Sequence, residues 1–361
     1  MLVAYFAAFE LGGLSTYLVL GLLLIILITC LRVRFSRAYN QTPTQIVERP
    51  PGARTLDAPR PALPEALEDL DFALLSQAAY DETPYAKKQP TPLRDVKDDL
   101  AKQGWSICKK IGQSDGLQEK LDKAHLRAQV WINVSKSEVA ATFGGTVVGN
   151  DKDWISNLRW FTPFHNDEYT KTVKVFGPAF CKVFVEHIRE KLADPKSVKI
   201  YSTGHSLGGG LAQQFAYSLP LDNDVPRVHK VFAFDPSPVT GYFSVKRSVR
   251  TRNRTGLLID RIYERGEILA YVRSITNFFW KPSAINAAIR QVRYNLFYTV
   301  QPFAGHSIAE LAEKLWDLVN SPANVGRVIG EWRRPKIVFR SKPAVTGKQG
   351  PQVTSTLKSS P

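Results

Sequence analysis

The longest apolar run in the chain is LGGLSTYLVLGLLLIILITCL at residues 11–31, 21 residues without a charge. Wound as a helix it would be roughly 31 Å long, about one hydrocarbon core. The pattern predicts a single transmembrane span. A secretory signal would carry a basic region before the run and a small-residue cleavage site after it. Here only Glu10 precedes it, and Arg32, Arg34 and Arg37 follow. Positive charge marks the cytoplasmic side, so the expected topology is N-terminus outside and the remainder in the cytoplasm.

Downstream the pattern changes twice. Residues 38–64 hold six prolines and no sustained apolar run, which predicts an extended linker holding the folded part off the bilayer. From Glu65 the stretch EALEDLDFALLSQAAYD has apolar positions at helical spacing. Strand-like and helix-like segments then alternate. Residues 130–134, 138–145, 198–203, 228–235, 258–264 and 295–300 read as strands; residues 179–192, 209–219 and 306–319 read as helices. The order predicts a mainly parallel sheet with helices on both faces. Residues 341–361 are polar, basic and proline-containing, which predicts a disordered tail. The expected divisions are an anchor at 1–37, a linker at 38–64, a folded domain at 65–340 and the tail.

Composition adds two constraints. An apolar share of 44% suffices for a full core. Cys30, Cys108 and Cys181 are too few and too scattered for a disulfide framework or a zinc site. The formal charge of +15 calls for an anionic neighbour, and the apolar run favours a membrane over nucleic acid. The basic residues are not interleaved with a known nucleic-acid readout module. Protein partners leave no signal.

The candidate chemistry centres on Gly204-His205-Ser206-Leu207-Gly208, a G-x-S-x-G pattern where a strand-like run meets a helical one. A serine on so sharp a turn projects its hydroxyl at the carboxyl end of the sheet, and flanking glycines avoid a clash. A serine nucleophile needs a base. Of the six histidines only His229 and His306 follow Ser206. His229 opens a strand at the wrong end of the sheet, so His306 is the expected general base. The acid that orients it should follow a strand between the two. Glu267, just after the strand at 258–264, is the expected acid and Asp235, at the end of the previous strand, the alternative; Asp260 and Glu264 lie within a strand and should point to the sheet faces. An oxyanion hole needs two N–H donors. Leu207 should supply one and Thr146, in the turn TFGGT, the other. His165 has no second ligand at metal spacing, so it is expected to be a loop histidine.

Three motifs together resemble the class 3 lipase family of α/β-hydrolases. TFGGT followed by DWISNL is similar to that family's oxyanion strand and its sequel. STGHSLGGG is similar to its serine elbow, and FDPSPVTG to the turn after the next strand. The likeness spans roughly residues 65 to 320 in the family's order. Gly144 stands where arginine is common, and Glu267 stands where the family has aspartate. The resemblance implies an α/β-hydrolase fold, here preceded by a transmembrane helix. It further implies ester hydrolysis in acylglycerols or phospholipids without cofactor or metal, and it implies that the aromatic stretch 159–169 sits where a lid is often found.

Two basic stretches, residues 245–254 and 277–294, are expected beside the site as contacts for anionic lipid heads. Two other readings remain open at this point. One is a thioesterase or small-ester hydrolase with the same triad, the other an inactive, membrane-tethered scaffold.

Overall fold

The computed structural model describes residues 21–23, 25–26, 44–49, 56–80, 95–113, 117, 119, 121, 126–145, 172–220, 224–238, 240–267, 269, 288–297 and 304–321. The expected span at 11–31 lies mostly outside them; residues 21–23 and 25–26 are helical. Among the described residues no helix is long and apolar enough to cross a membrane. The tail, Thr146, the stretch 159–169 with His165, and most of the basic stretch 277–294 also lie outside them.

The chain forms β1 (Thr44–Arg49), β2 (Leu56–Arg60), α1 (Ala62–Ala78), α2 (Val96–Lys102), β3 (Trp105–Ile107), β4 (Ala128–Asn133) and β5 (Glu138–Phe143). It continues with α3 (Gly177–Val183), β6 (Lys199–His205), α4 (Leu207–Ser218), β7 (Val228–Phe234), α5 (Arg247–Asn253), β8 (Leu258–Glu264), β9 (Ala288–Tyr294) and α6 (Ile308–Asn320). The nine described strands make one sheet in the order β2-β1-β9-β8-β7-β6-β5-β4-β3. The centre, β5 through β9, is parallel; both flanks are antiparallel. The sheet is therefore mixed, where the sequence pattern predicts a mainly parallel one.

Both faces of the sheet are covered. Val130, Val139, Ala141, Phe143, Val231 and Ile259 pack with α3 and α4 residues on one face. Trp131, Ala140, Phe232, Ile262 and Val292 pack with α1 and α6 on the other. Neighbouring strand residues fall in opposite clusters, as the period of two requires. Phe72 of α1 stacks on Phe232 with ring centroids 3.8 Å apart and fixes that helix over the strand that precedes Asp235.

Three expectations need correction here. Within the linker expected at 38–64, residues 44–49 and 56–60 are strands: β1 pairs with β9, β2 pairs with β1, and α1 starts at Ala62 rather than at Glu65. Prolines disguised it, yet Pro59 sits on the outermost strand, where a missing ladder donor is tolerated. Second, the strand expected at 295–300 lies one strand length earlier, at β9. Arg290 in β9 is buried, which a charged residue rarely is. It is paired with Asp260 on the next strand and with Glu65 of α1 at 2.9 Å. Lys230 of β7 joins this network through Asp260 and Glu68. Burial pushes the Asp69 carboxyl well above its ordinary range, and it accepts the Tyr294 hydroxyl at 2.7 Å. Third, the basic run 245–254 is not beside the serine. It forms α5, whose Asn253 side chain donates to the Tyr217 and Leu219 carbonyls at the far end of α4. Arg227, just before β7, donates to the Arg252 carbonyl. Both ties lie at the amino ends of the strands, opposite the elbow.

Candidate functional site

Ser206 stands between β6 and α4 with φ 58° and ψ −122°, a conformation few L-residues adopt. The elbow is held by backbone bonds. Its N–H donates to the Phe234 carbonyl at 2.9 Å, and its carbonyl accepts from Ser237 and Gly209 at 2.9 and 3.0 Å. The two framing glycines are required by contact. A Cβ on Gly208 would sit inside the van der Waals shell of the Phe143 carbonyl oxygen, and one on Gly204 would strike the Gly208 carbonyl. These obstacles are backbone and cannot swing away. Gly208→Ala is therefore expected to destabilise the fold by more than about 3 kcal/mol, seen as a large drop in thermal midpoint or loss of soluble protein.

His306 and Glu267 converge on Ser206. The His306 Nε2 lies 3.2 Å from the Ser206 Oγ, and its Nδ1 lies 3.0 Å from a Glu267 carboxylate oxygen. Glu267 is fully buried and Ser206 and His306 nearly so. A carboxylate accepts only, so Nδ1 carries the ring proton and Nε2 is left to accept the serine O–H. The same Glu267 oxygen also accepts the Leu269 N–H at 2.7 Å, which fixes the carboxylate. Each partner arrives from the carboxyl end of a parallel strand: Ser206 from β6, Glu267 from β8, His306 after β9.

The other carboxylates are engaged elsewhere. Asp260 is held by Arg290 and Lys230 on a sheet face. Asp235, the alternative acid, is fully buried at the end of β7, with one oxygen 3.9 Å from the Nε2 of His205. It faces His205, while Glu267 holds the Nδ1 of His306. Glu264, three residues before Glu267, accepts the Leu296 N–H at 3.0 Å.

Burial raises the Glu264 pKa from its ordinary 4.5 to about 7. The folded protein therefore holds one more proton than the unfolded chain between those values, and stability falls as pH rises through that window. The loss totals about 3 kcal/mol at ~1.4 kcal/mol per unit. Glu264→Gln cannot ionise. Relative to wild type, it is expected to gain about that much between pH 4.5 and pH 8, read from urea unfolding at the two pH values.

Tyr80 and His205, to which no motif in the sequence assigns a role, form a second chain of contacts. The His205 Nε2 donates to the His306 carbonyl at 2.8 Å, and its Nδ1 is hydrogen-bonded to the Tyr80 hydroxyl at 3.0 Å. Tyr80 in turn accepts the Gly145 N–H at 2.9 Å. The turn after β5 is thereby tied to the backbone of His306. Tyr80 and His205 are 125 residues apart, so no local pattern links them. His205, Asp235 and His306 also bring ligand-type atoms within 4.8 Å of one another. All four ring nitrogens already have hydrogen-bond partners, so a cation there would have to displace one.

For an oxyanion, Leu207 opens α4, where N–H groups have no acceptor one turn earlier. Thr146 lies outside the described residues. Gly145, just before it, sits close enough that a Cβ there would meet the Ser206 Cβ at 3.4 Å.

Residues 71–220 match the phospholipase-like family, as a Tle-like phospholipase domain. No curated protein matches the chain. Among solved structures, the native Rhizomucor miehei lipase propeptide complex is 15% identical, with a TM-score of 0.40 over 66% of this chain and 75% of that one. The lipase from Rhizopus microsporus var. chinensis is 13% identical, with a TM-score of 0.40 over 70% and 84%. Lip2 lipase from Yarrowia lipolytica is 16% identical, with a TM-score of 0.38 over 70% and 93%.

Proposed function

With residues 71–220 similar to a Tle-like phospholipase domain, we propose that this protein is a membrane-anchored serine hydrolase. Its substrates are carboxylic esters of acylglycerols or phospholipids. The observation that carries this reading is the contact of the Ser206 Oγ with the His306 Nε2 at 3.2 Å, backed by Glu267 at 3.0 Å on a strained elbow. In the proposed reaction Ser206 attacks the ester carbonyl while His306 takes its proton. The tetrahedral oxyanion is held by the Leu207 N–H and by Thr146. His306 then gives its proton to the departing alcohol, leaving an acyl-serine. Water, deprotonated by His306, attacks that ester and releases the fatty acid. Glu267 keeps the imidazole in the required tautomer and offsets its charge when protonated.

Anchoring rests on residues 11–31. The described residues within that run are helical, and the run carries no charge over 21 residues. Arg32, Arg34 and Arg37 support a cytoplasmic catalytic domain.

A fluorophosphonate probe tests the chemistry. It is expected to label the wild type and not Ser206→Ala, and labelling that survives this substitution would remove Ser206 from the reaction. Flotation with vesicles after alkaline carbonate washing tests the anchor: loss of residues 11–31 should release the protein.

A further inference from the structure

We infer that the domain hydrolyses lipid in the same bilayer that holds residues 11–31, because the chain enters the sheet at its catalytic end. The inference rests on both halves of the reading above, hydrolysis by Ser206 and anchoring by that run. Its evidence is the strand register. His205, the residue before Ser206, lies opposite Phe234, Phe234 opposite Ile262, Ile262 opposite Val292, and Val292 opposite Ile46. Ile46 of β1 therefore lies on the row of His205, four strand spacings away, or about 19 Å. β1 runs antiparallel to β9, so its first residue is nearer still to the carboxyl end. Thr44 is opposite Tyr294, which is opposite Glu264, three residues before Glu267.

The connection is short. Twelve residues, 32–43, separate the apolar run from Thr44. Fully stretched they reach roughly 45 Å, and as a flexible coil they average about 20 Å. The bilayer surface thus lies within about one domain diameter, on the side from which Ser206, Glu267 and His306 project. Entry at the other end would have set the length of the strands, about 23 Å for seven residues, between membrane and site. The same geometry turns the basic helix α5 away from the bilayer, since it is tied to the amino ends of the strands.

The test uses the full chain reconstituted in phosphatidylcholine–phosphatidylserine vesicles. A fluorogenic phospholipid is placed in the same vesicles or in separate protein-free ones. At equal, dilute lipid the same-vesicle rate is expected to exceed the separate-vesicle rate at least tenfold. Inserting about 60 Gly/Ser residues between Tyr39 and Asn40 is expected to lower the same-vesicle rate about tenfold, as effective concentration falls with linker length. An unchanged or increased rate overturns the inference, because a site facing away would gain from slack. Lys246→Gln, Arg247→Gln and Arg252→Gln together are expected to leave the same-vesicle rate unchanged; a selective loss overturns it. Turnover of a short soluble ester and co-flotation with vesicles separate the possible failures. No soluble turnover sinks the hydrolase reading, and an active protein that does not float sinks the anchor; either takes this inference with it. An active, anchored protein with equal rates in the two arrangements sinks this inference alone.

Discussion

Ser206→Ala is expected to lower kcat/KM for a soluble ester about 10⁵-fold with little change in KM. The nucleophile and its base act as a unit, so removing either forfeits nearly all covalent catalysis. What remains should come from the oxyanion donors and binding alone. Alanine keeps the bonds that hold the elbow, since the partners of Phe234, Ser237 and Gly209 are the backbone N–H and carbonyl of residue 206. The strained φ of 58° is unchanged by the loss of a hydroxyl. The variant should therefore melt within a few degrees of wild type, and its inactivity would be chemical. Activity within tenfold of wild type would place the nucleophile elsewhere.

Glu267→Gln is expected to cost about 10⁴-fold in kcat, through the tautomer of His306. An amide facing Nδ1 can donate as well as accept. It permits the ring proton to sit on Nε2, where it blocks acceptance from Ser206. Asp235→Asn is expected to lower kcat at most about tenfold, because its nearest imidazole is His205 rather than the base. The pair of variants is decisive when measured side by side. A deeper loss at Asp235 than at Glu267 would reverse the assignment of the acid.

The elbow is legible in the sequence because its chemistry is local. A strand, a glycine-framed serine and a helix occur within about twenty consecutive residues, and each has its own period or backbone requirement. His306 follows by elimination among few histidines. The acid is less legible: Glu267 and Asp235 both end strands, and only side-chain direction separates them. β9 is hidden because its Arg290 reads as solvent-exposed, while its neutralising partners sit 30 and 225 residues away, at Asp260 and Glu65. β1 and β2 are hidden because proline density reads as linker, and pairing with a strand some 240 residues later leaves no local trace. Helical spacing and charge also cannot say which end of a sheet a basic helix will occupy, and that is why α5 was expected near Ser206. Tyr80 and His205 meet only through the fold.

The pairing of β1 and β2 at the edge bears on how a soluble form of this protein should be cut. Trimming the chain at residue 61, just before the first long helix, would strip both strands and leave the outer rim of β9 bare. A bare rim offers a row of N–H and C=O groups to any passing strand, including one from a second copy. Such a fragment should oligomerise through its rim and misalign the turn that carries His306. A fragment that begins upstream of Thr44 keeps the proline-bearing outermost strand as a seal, and should stay monomeric without its anchor.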